Sequence, residues 1–184
     1  MNINKTWRSF LNENLDTFDT YRKSLKVDDK GKVKLYHVSG TSDITEFDPA
    51  ISAESKNIFS RREYRIWDRP RVFFFTEVGQ EDPGIGRIPG DVAYVSEIDF
   101  DKLYPIHEDP LGLSREEKYE EFQKLTGLDK YHPRFLNPYE RAAVLAEERG
   151  YIGFLYKHSG TNDIIAAVWK KIPAKKLEDS FYKN

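Results

Sequence analysis

An α+β domain is what this 184-residue sequence predicts, and three observations lead there. The apolar pattern begins at helical spacing, changes to alternating and β-branched runs, returns to helical spacing in the second half and closes in strand-like runs. That order is not a regular strand-helix alternation, and no repeat or low-complexity tract accompanies it, so a βαβ series is not expected. A composition of 39% apolar, 33% charged and 14% aromatic residues suits one globular domain spanning residues 1–184.

Trp7, Phe10, Leu11, Leu15, Phe18, Tyr21 and Leu25 recur at intervals of three and four. This predicts an amphipathic helix, making residues 1–30 a helical extension packed on the main domain. Asp29, Lys30 and Gly31 read as a turn, and Val33 to Val38 as a short strand ending at Ser39 and Gly40, with His37 near its end. The following stretch is turn-rich, anchored by Ile44 and Phe47, with Asp48 before Pro49 as a local turn former. Residues 56–71 carry Lys56, Arg61, Arg62, Arg65, Arg69 and Arg71 against only Glu63 and Asp68, with Phe59, Tyr64 and Trp67 interleaved. Two readings stay open: a solvated or internally salt-bridged face opposite the acidic stretch 77–109, or arginines that grip phosphate while the rings stack on bases.

The run RVFFFTE suits a buried strand closed by Thr76, and alternation turns at least one of Phe73, Phe74 and Phe75 away from its neighbours. Pro83, Gly84, Gly86, Pro89 and Gly90 then oppose any extended helix before the strand candidate DVAYVSEIDF. Ser114 with Glu117 forms a capping-box start for a helix whose apolar face is Tyr119, Phe122 and Leu125, stopped by Gly127. Asn137, Pro138 and Glu140 start a second helix ending near Gly150. GYIGFLYK and DIIAAVWKKI read as two strands joined by a tight turn at Ser159 to Asn162.

Charge and composition exclude several chemistries. Twenty-nine Lys and Arg against 31 Asp and Glu give a net charge of -2, so no global cationic field points to nucleic acid or anionic membrane. The absence of cysteine excludes disulfides, thiol nucleophiles and thiolate-held metals. The first residues, MNINKTWRSFLNENLD, lack the apolar core of an export signal, and no run approaches the roughly 20 apolar residues of a membrane helix. A soluble, cytoplasmic protein is expected. His37, His107, His132 and His158 lack the close spacing of a zinc enzyme, so no metal is expected. The glycines at 84, 86 and 90 match neither a Walker loop nor a dinucleotide fingerprint.

Three positions stand out for chemistry. His37 alternates with Tyr36 beside Ser39 and Thr41 at a strand end that a ligand can reach; the alternative is a histidine whose ring bonds neighbouring backbone. The phenylalanine run is core by default, yet one ring can line a cleft. Asp163 opens the last strand after a small-residue turn, as a turn cap or, if His37 lies nearby, as a catalytic group.

In this order the segments resemble the ADP-ribosyltransferase superfamily, in particular its histidine-tyrosine-glutamate branch and small bacterial and phage-encoded members. KLYHVSGTSDITEFDP, residues 34–49, is similar to the family's first strand, in which Tyr and His precede a small residue and a Ser or Thr. RVFFFTE is similar to the second motif, an apolar strand ending in aromatic-Phe-Thr. GYIGFLYKHSGTNDIIAAVWKKIPAKKL, residues 150–177, is similar to the late Gly-Tyr-Asp-Gly strand and the last strand, whose entrance carries the catalytic glutamate. The resemblance implies a split antiparallel β-sheet core. It also implies that His37 binds the ribose and pyrophosphate side of NAD with Ser39 and Thr41 in support. Phe74 takes the place of a tyrosine that stacks on nicotinamide, followed by Thr76. Asp163, with Asn162 as the adjacent possibility, takes the place of the glutamate that stabilises an oxocarbenium-like ribose and prepares the acceptor.

The activity so implied is mono-ADP-ribosyl transfer from NAD to an intracellular macromolecule, by an effector or phage-host conflict protein acting in the cytoplasm of its own or a host cell. NAD is then a substrate and no metal takes part. A protein acceptor is expected, with no membrane partner. Arg61, Arg62 and Arg65 become candidates for acceptor or phosphate contact. Two alternatives accompany this reading: a noncatalytic protein-binding or inhibitory module on the same fold, and a nucleic-acid-directed transferase or related RNA-modifying enzyme.

Overall fold

A computed structural model describes residues 25–54, 70–76, 92–157 and 163–177. The expected helix over residues 7–25 (save Leu25), the arginines Arg61, Arg62 and Arg65, the Gly-Pro stretch before Val92 and the turn at 159–162 lie outside the described residues. In chain order the elements are β1 (Lys32–Ser39), β2 (Glu46–Phe47), α1 (Pro49–Glu54), β3 (Val72–Phe75), β4 (Val92–Asp99), a 3-10 turn (Phe100–Lys102) and β5 (Leu103–Pro105). Then follow α2 (Arg115–Thr126), α3 (Pro133–Leu136), α4 (Pro138–Glu147), β6 (Gly153–Lys157), β7 (Ile164–Val168), β8 (Ile172–Pro173) and β9 (Lys175–Lys176).

Seven strands form one sheet in the order β5-β6-β7-β3-β1-β4-β9, and β2 pairs with β8 in a second, two-stranded sheet. Neighbours pair antiparallel except β5 and β6, which run parallel. The physical reason is the connection between them: α2, α3 and α4 intervene, and a crossover of that length returns the chain in the same direction. The seven-stranded sheet is therefore mixed, with one parallel pair at its β5 edge.

Strand alternation makes the sheet two-faced. Val33, Leu35, Val72, Phe74, Tyr94, Ile98, Ala166 and Val168 point into one core, which Phe47 of β2 and Ile172 of β8 close. The opposite face at β6 and β7 presents Phe154 and Ala167 to Ala143 and Ala146 of α4, together with Tyr104 and Trp169. Phe122, Phe135, Val144 and Leu145 fill the space among the helices.

The helices follow their sequence signals, with two differences. Ser114 and Glu117 make the reciprocal capping box, and Gly127 ends α2 in the left-handed conformation, but Leu125 is 38% exposed, so the apolar face narrows to Phe122 and Tyr119. Asn137 caps α4 by accepting from the Tyr139 and Glu140 amides. Glu140 itself turns inward rather than completing a box: it is fully buried and pairs with the Nη2 of Arg71, with Arg134 Nε 3.6 Å from its other oxygen. Arg71, 5% exposed, also lies over the Phe154 ring at 5.2 Å. The most C-terminal arginine of the basic segment is thus a core residue paired with α4.

Two glycines in GYIG set the approach to β6. Gly150, with φ of 82°, is in the left-handed region that ends the helix. At Gly153 a Cβ atom would lie 2.6 Å from the Ala167 carbonyl oxygen and 3.0 Å from a Leu103 methyl, so only glycine lets β6 pack between β5 and β7 at this point.

Candidate functional site

β1 carries His37 into the upper edge of the first core. Its ring meets Phe47 edge-on at 4.9 Å and Phe74 at 5.6 Å. Nδ1 lies 2.8 Å from the Phe73 carbonyl oxygen, which can only accept, so Nδ1 holds the proton and Nε2 keeps its lone pair in the neutral ring. Burial pushes the His37 pKa below its ordinary value, an effect that the Phe73 carbonyl opposes. The result is a neutral imidazole of fixed tautomer and orientation, half-buried, with Nε2 as an acceptor.

The loop after β1 is held from below. Tyr94, opposite His37 in the register of β1 and β4, donates its hydroxyl to the Thr41 carbonyl at 2.9 Å and accepts from the Ile44 amide at 3.2 Å. Ser39 Oγ accepts from the Thr41 amide at 3.1 Å, a local turn bond between the two residues expected to support His37. The sequence pattern marks Tyr94 only as part of a strand. Its alternation position was visible in the sequence, but its polar role depends on which loop folds over it.

Thr76 is buried, and its hydroxyl donates to the Ile164 carbonyl at 2.8 Å. This bond ties the end of β3 to the beginning of β7, one residue from Asp163. Phe74 is 1% exposed and packs against Phe47 at 5.0 Å as well as His37. A ring so enclosed has no free face, so the stacking role implied for Phe74 is not available in this conformation. Alternation leaves Phe73 and Phe75 half-buried on the opposite face.

The pairing places these residues on consecutive strands. Phe75 pairs with Tyr36 on one side and Ile165 on the other, and Phe74 pairs with Ala166. His37 therefore stands level with Ala166 two strands away, and Asp163 lies three residues before Ala166, which puts the two Cα atoms roughly 14 Å apart at ordinary strand spacing and rise. Asp163 is half-buried at the entrance of β7. His37 and Asp163 share one region of the sheet but not a hydrogen bond.

A concavity of about 310 Å³ opens beside Thr76 and Tyr36, with Lys26, Lys32, Lys34 and Glu97 among its lining. His37 is not part of that lining. At the far edge, Glu108 follows β5 with both carboxylate oxygens buried and without a hydrogen-bond partner among the described residues, and burial raises its pKa to about 7. His107 Nε2 accepts from the Lys157 amide at 3.1 Å, and His132 Nδ1 accepts from the Arg134 amide at 3.2 Å, capping α3; both rings act on backbone. Among the described residues no group of three His, Asp or Glu side chains is placed to hold a metal ion, and no helix is long and apolar enough to cross a membrane. No protein-family model, curated protein or solved structure matches the chain.

Proposed function

We propose that the protein transfers ADP-ribose from NAD to an intracellular macromolecule, with the region between His37 and Asp163 as its site. The observation that carries this reading is strand adjacency: β1, β3 and β7, which hold the three motifs resembling the ADP-ribosyltransferases, are immediate neighbours in the sheet. NAD supplies the ribosyl group and its labile bond to nicotinamide. His37 fits a ribose hydroxyl, because its neutral ring offers Nε2 as an acceptor while the Phe73 carbonyl holds the other nitrogen. Tyr94 fixes the Thr41 to Ile44 backbone beside it, and Thr76 fixes the strand entrance that carries Asp163. The Asp163 carboxyl group is suited to stabilise positive charge on the ribose and to accept a proton from the acceptor. Its side chain is one methylene shorter than glutamate, and a displacement of about 1 Å costs on the order of a hundredfold in rate, so this site is expected to be slow unless the strand entrance moves inward.

The enclosed Phe74 ring does not fit a nicotinamide platform, and that single feature favours the second reading, a noncatalytic binding module on the same fold. The two readings separate in one experiment. NAD consumption by the pure protein is measured for wild type, His37→Ala and Asp163→Ala, with NAD binding measured in parallel by calorimetry. Transfer predicts that Asp163→Ala binds NAD but does not consume it, and that His37→Ala weakens binding. Binding or consumption unaffected by both substitutions would remove this site.

A further inference from the structure

We propose that the cleft between α2 and α4, on the helical side of the molecule, is a binding site for a phosphomonoester group. Its lining brings two cations, Lys118 and Arg141, together with the Tyr104 hydroxyl and a single carboxylate, Asp109. That carboxylate is already engaged on both oxygens: Tyr104 donates to Oδ1 and Lys118 pairs with Oδ2. Asp109 is held for this task at φ of 44°, a left-handed conformation uncommon for a residue with a side chain.

Arg141 is left with an excess of donor capacity. Its Nη1 donates to the Phe135 carbonyl at 2.7 Å and its guanidinium lies 5.2 Å from the Phe135 ring, an arrangement that fixes the plane of the group. The remaining guanidinium nitrogens make no hydrogen bond among the described residues. Burial lowers the pKa of this half-buried group and the neighbouring charge of Arg115 lowers it further, while Asp109 and Tyr104 oppose the shift. A guanidinium held in place and partly desolvated, next to a second cation and facing a carboxylate, Asp109, whose two oxygens are already engaged by Tyr104 and Lys118, gains from an incoming anion. The cleft encloses about 60 Å³. A water needs about 10–15 Å³ of such space, so the cleft has room for a single tetrahedral oxyanion whose ester tail leaves through the open side. A planar, pre-oriented fork favours phosphate over chloride, because two parallel hydrogen bonds need two oxygens on one centre.

The test measures thermal stabilisation by inorganic phosphate against sodium chloride at matched ionic strength, with affinities from titration calorimetry. The expected result is a phosphate-specific rise in Tm that weakens at least tenfold in apparent affinity in Arg141→Gln. Asp109→Asn, which removes the competing carboxylate, is expected to bind phosphate more tightly even where the fold is less stable. Ala142→Leu, which fills the cleft without changing charge, is expected to abolish the effect and replaces Arg141→Gln should that variant fail to fold. A phosphoserine peptide and its unphosphorylated form distinguish the source: tighter binding of the phosphopeptide assigns the site to a modified protein, and binding of inorganic phosphate alone assigns it to a small phosphate ester. Stabilisation equal to that by chloride, or unchanged in Arg141→Gln and Ala142→Leu, would overturn the proposal.

Discussion

Glu140→Gln is the most informative single change to the scaffold. The wild-type carboxylate is fully buried, pairs with Arg71 at 5% exposure and approaches Arg134 at 3.6 Å. Removing one partner of a buried pair leaves the other charge desolvated and costs about 3–5 kcal/mol. Glutamine keeps the volume and one acceptor, so the lower end, about 3 kcal/mol, is expected. For a chain of this length each kcal/mol lowers Tm by about 2–4 °C, giving a fall of roughly 6–12 °C. Arg71 directly precedes β3, whose Phe73 carbonyl holds His37, so the loss should also loosen the histidine. Circular dichroism melts and urea titrations measure the effect, and Arg71→Met combined with Glu140→Gln should be less damaging than the two single costs added, because the Arg71 guanidinium is removed together with its partner. A Glu140→Gln variant within 1 kcal/mol of wild type would refute the argument that this pair is desolvated.

Three further outcomes follow from separate contacts. Gly153→Ala should cost about 2 kcal/mol or more, comparable to overpacking a core, because its Cβ would meet a backbone oxygen of β7; a chemical-denaturation midpoint equal to wild type would contradict the close approach. Tyr94→Phe should cost about 1–2 kcal/mol and speed hydrogen exchange at the Ile44 amide while leaving the β1 amides protected. Glu108 binds a proton more tightly in the fold, at about 7, than at its ordinary 4.5, so its ionisation makes stability fall as pH rises through that window. Glu108→Gln should therefore gain stability over wild type at pH 8 and lose the advantage near pH 4.5, and a pH-independent difference would show that the carboxyl is solvated.

Long periodic segments were legible in the sequence because local pattern and tertiary packing agree there. The capping box at Ser114, the strand through His37 and the pair of late strands are cases in point. The two-residue strands β2, β8 and β9 carry no periodicity of their own; Phe47 pairs with Ile172, and Lys175 with Val95, only because distant segments meet. β5 was missed for the same reason, since its parallel partner lies about fifty residues further along the chain. At the site, it was the family resemblance that grouped His37, Phe74 and Asp163, and it did not show what each side chain touches. Thr76 and Ser39 are engaged by backbone, and Phe74 is closed in by Phe47, a contact that alternation alone could not reveal. Glu140 shows the converse: its capping position was evident, and its burial depended on an arginine 69 residues away.

Transfer of a labelled ADP-ribosyl group from NAD, with purified protein in cell lysate and wild type set against Asp163→Ala, tests the central claim most directly. The account predicts a labelled macromolecule with wild type and none with Asp163→Ala, at equal folded concentration. Labelling that persists in Asp163→Ala, or is absent from wild type while NAD still binds, would contradict a transferase centred on the β7 entrance.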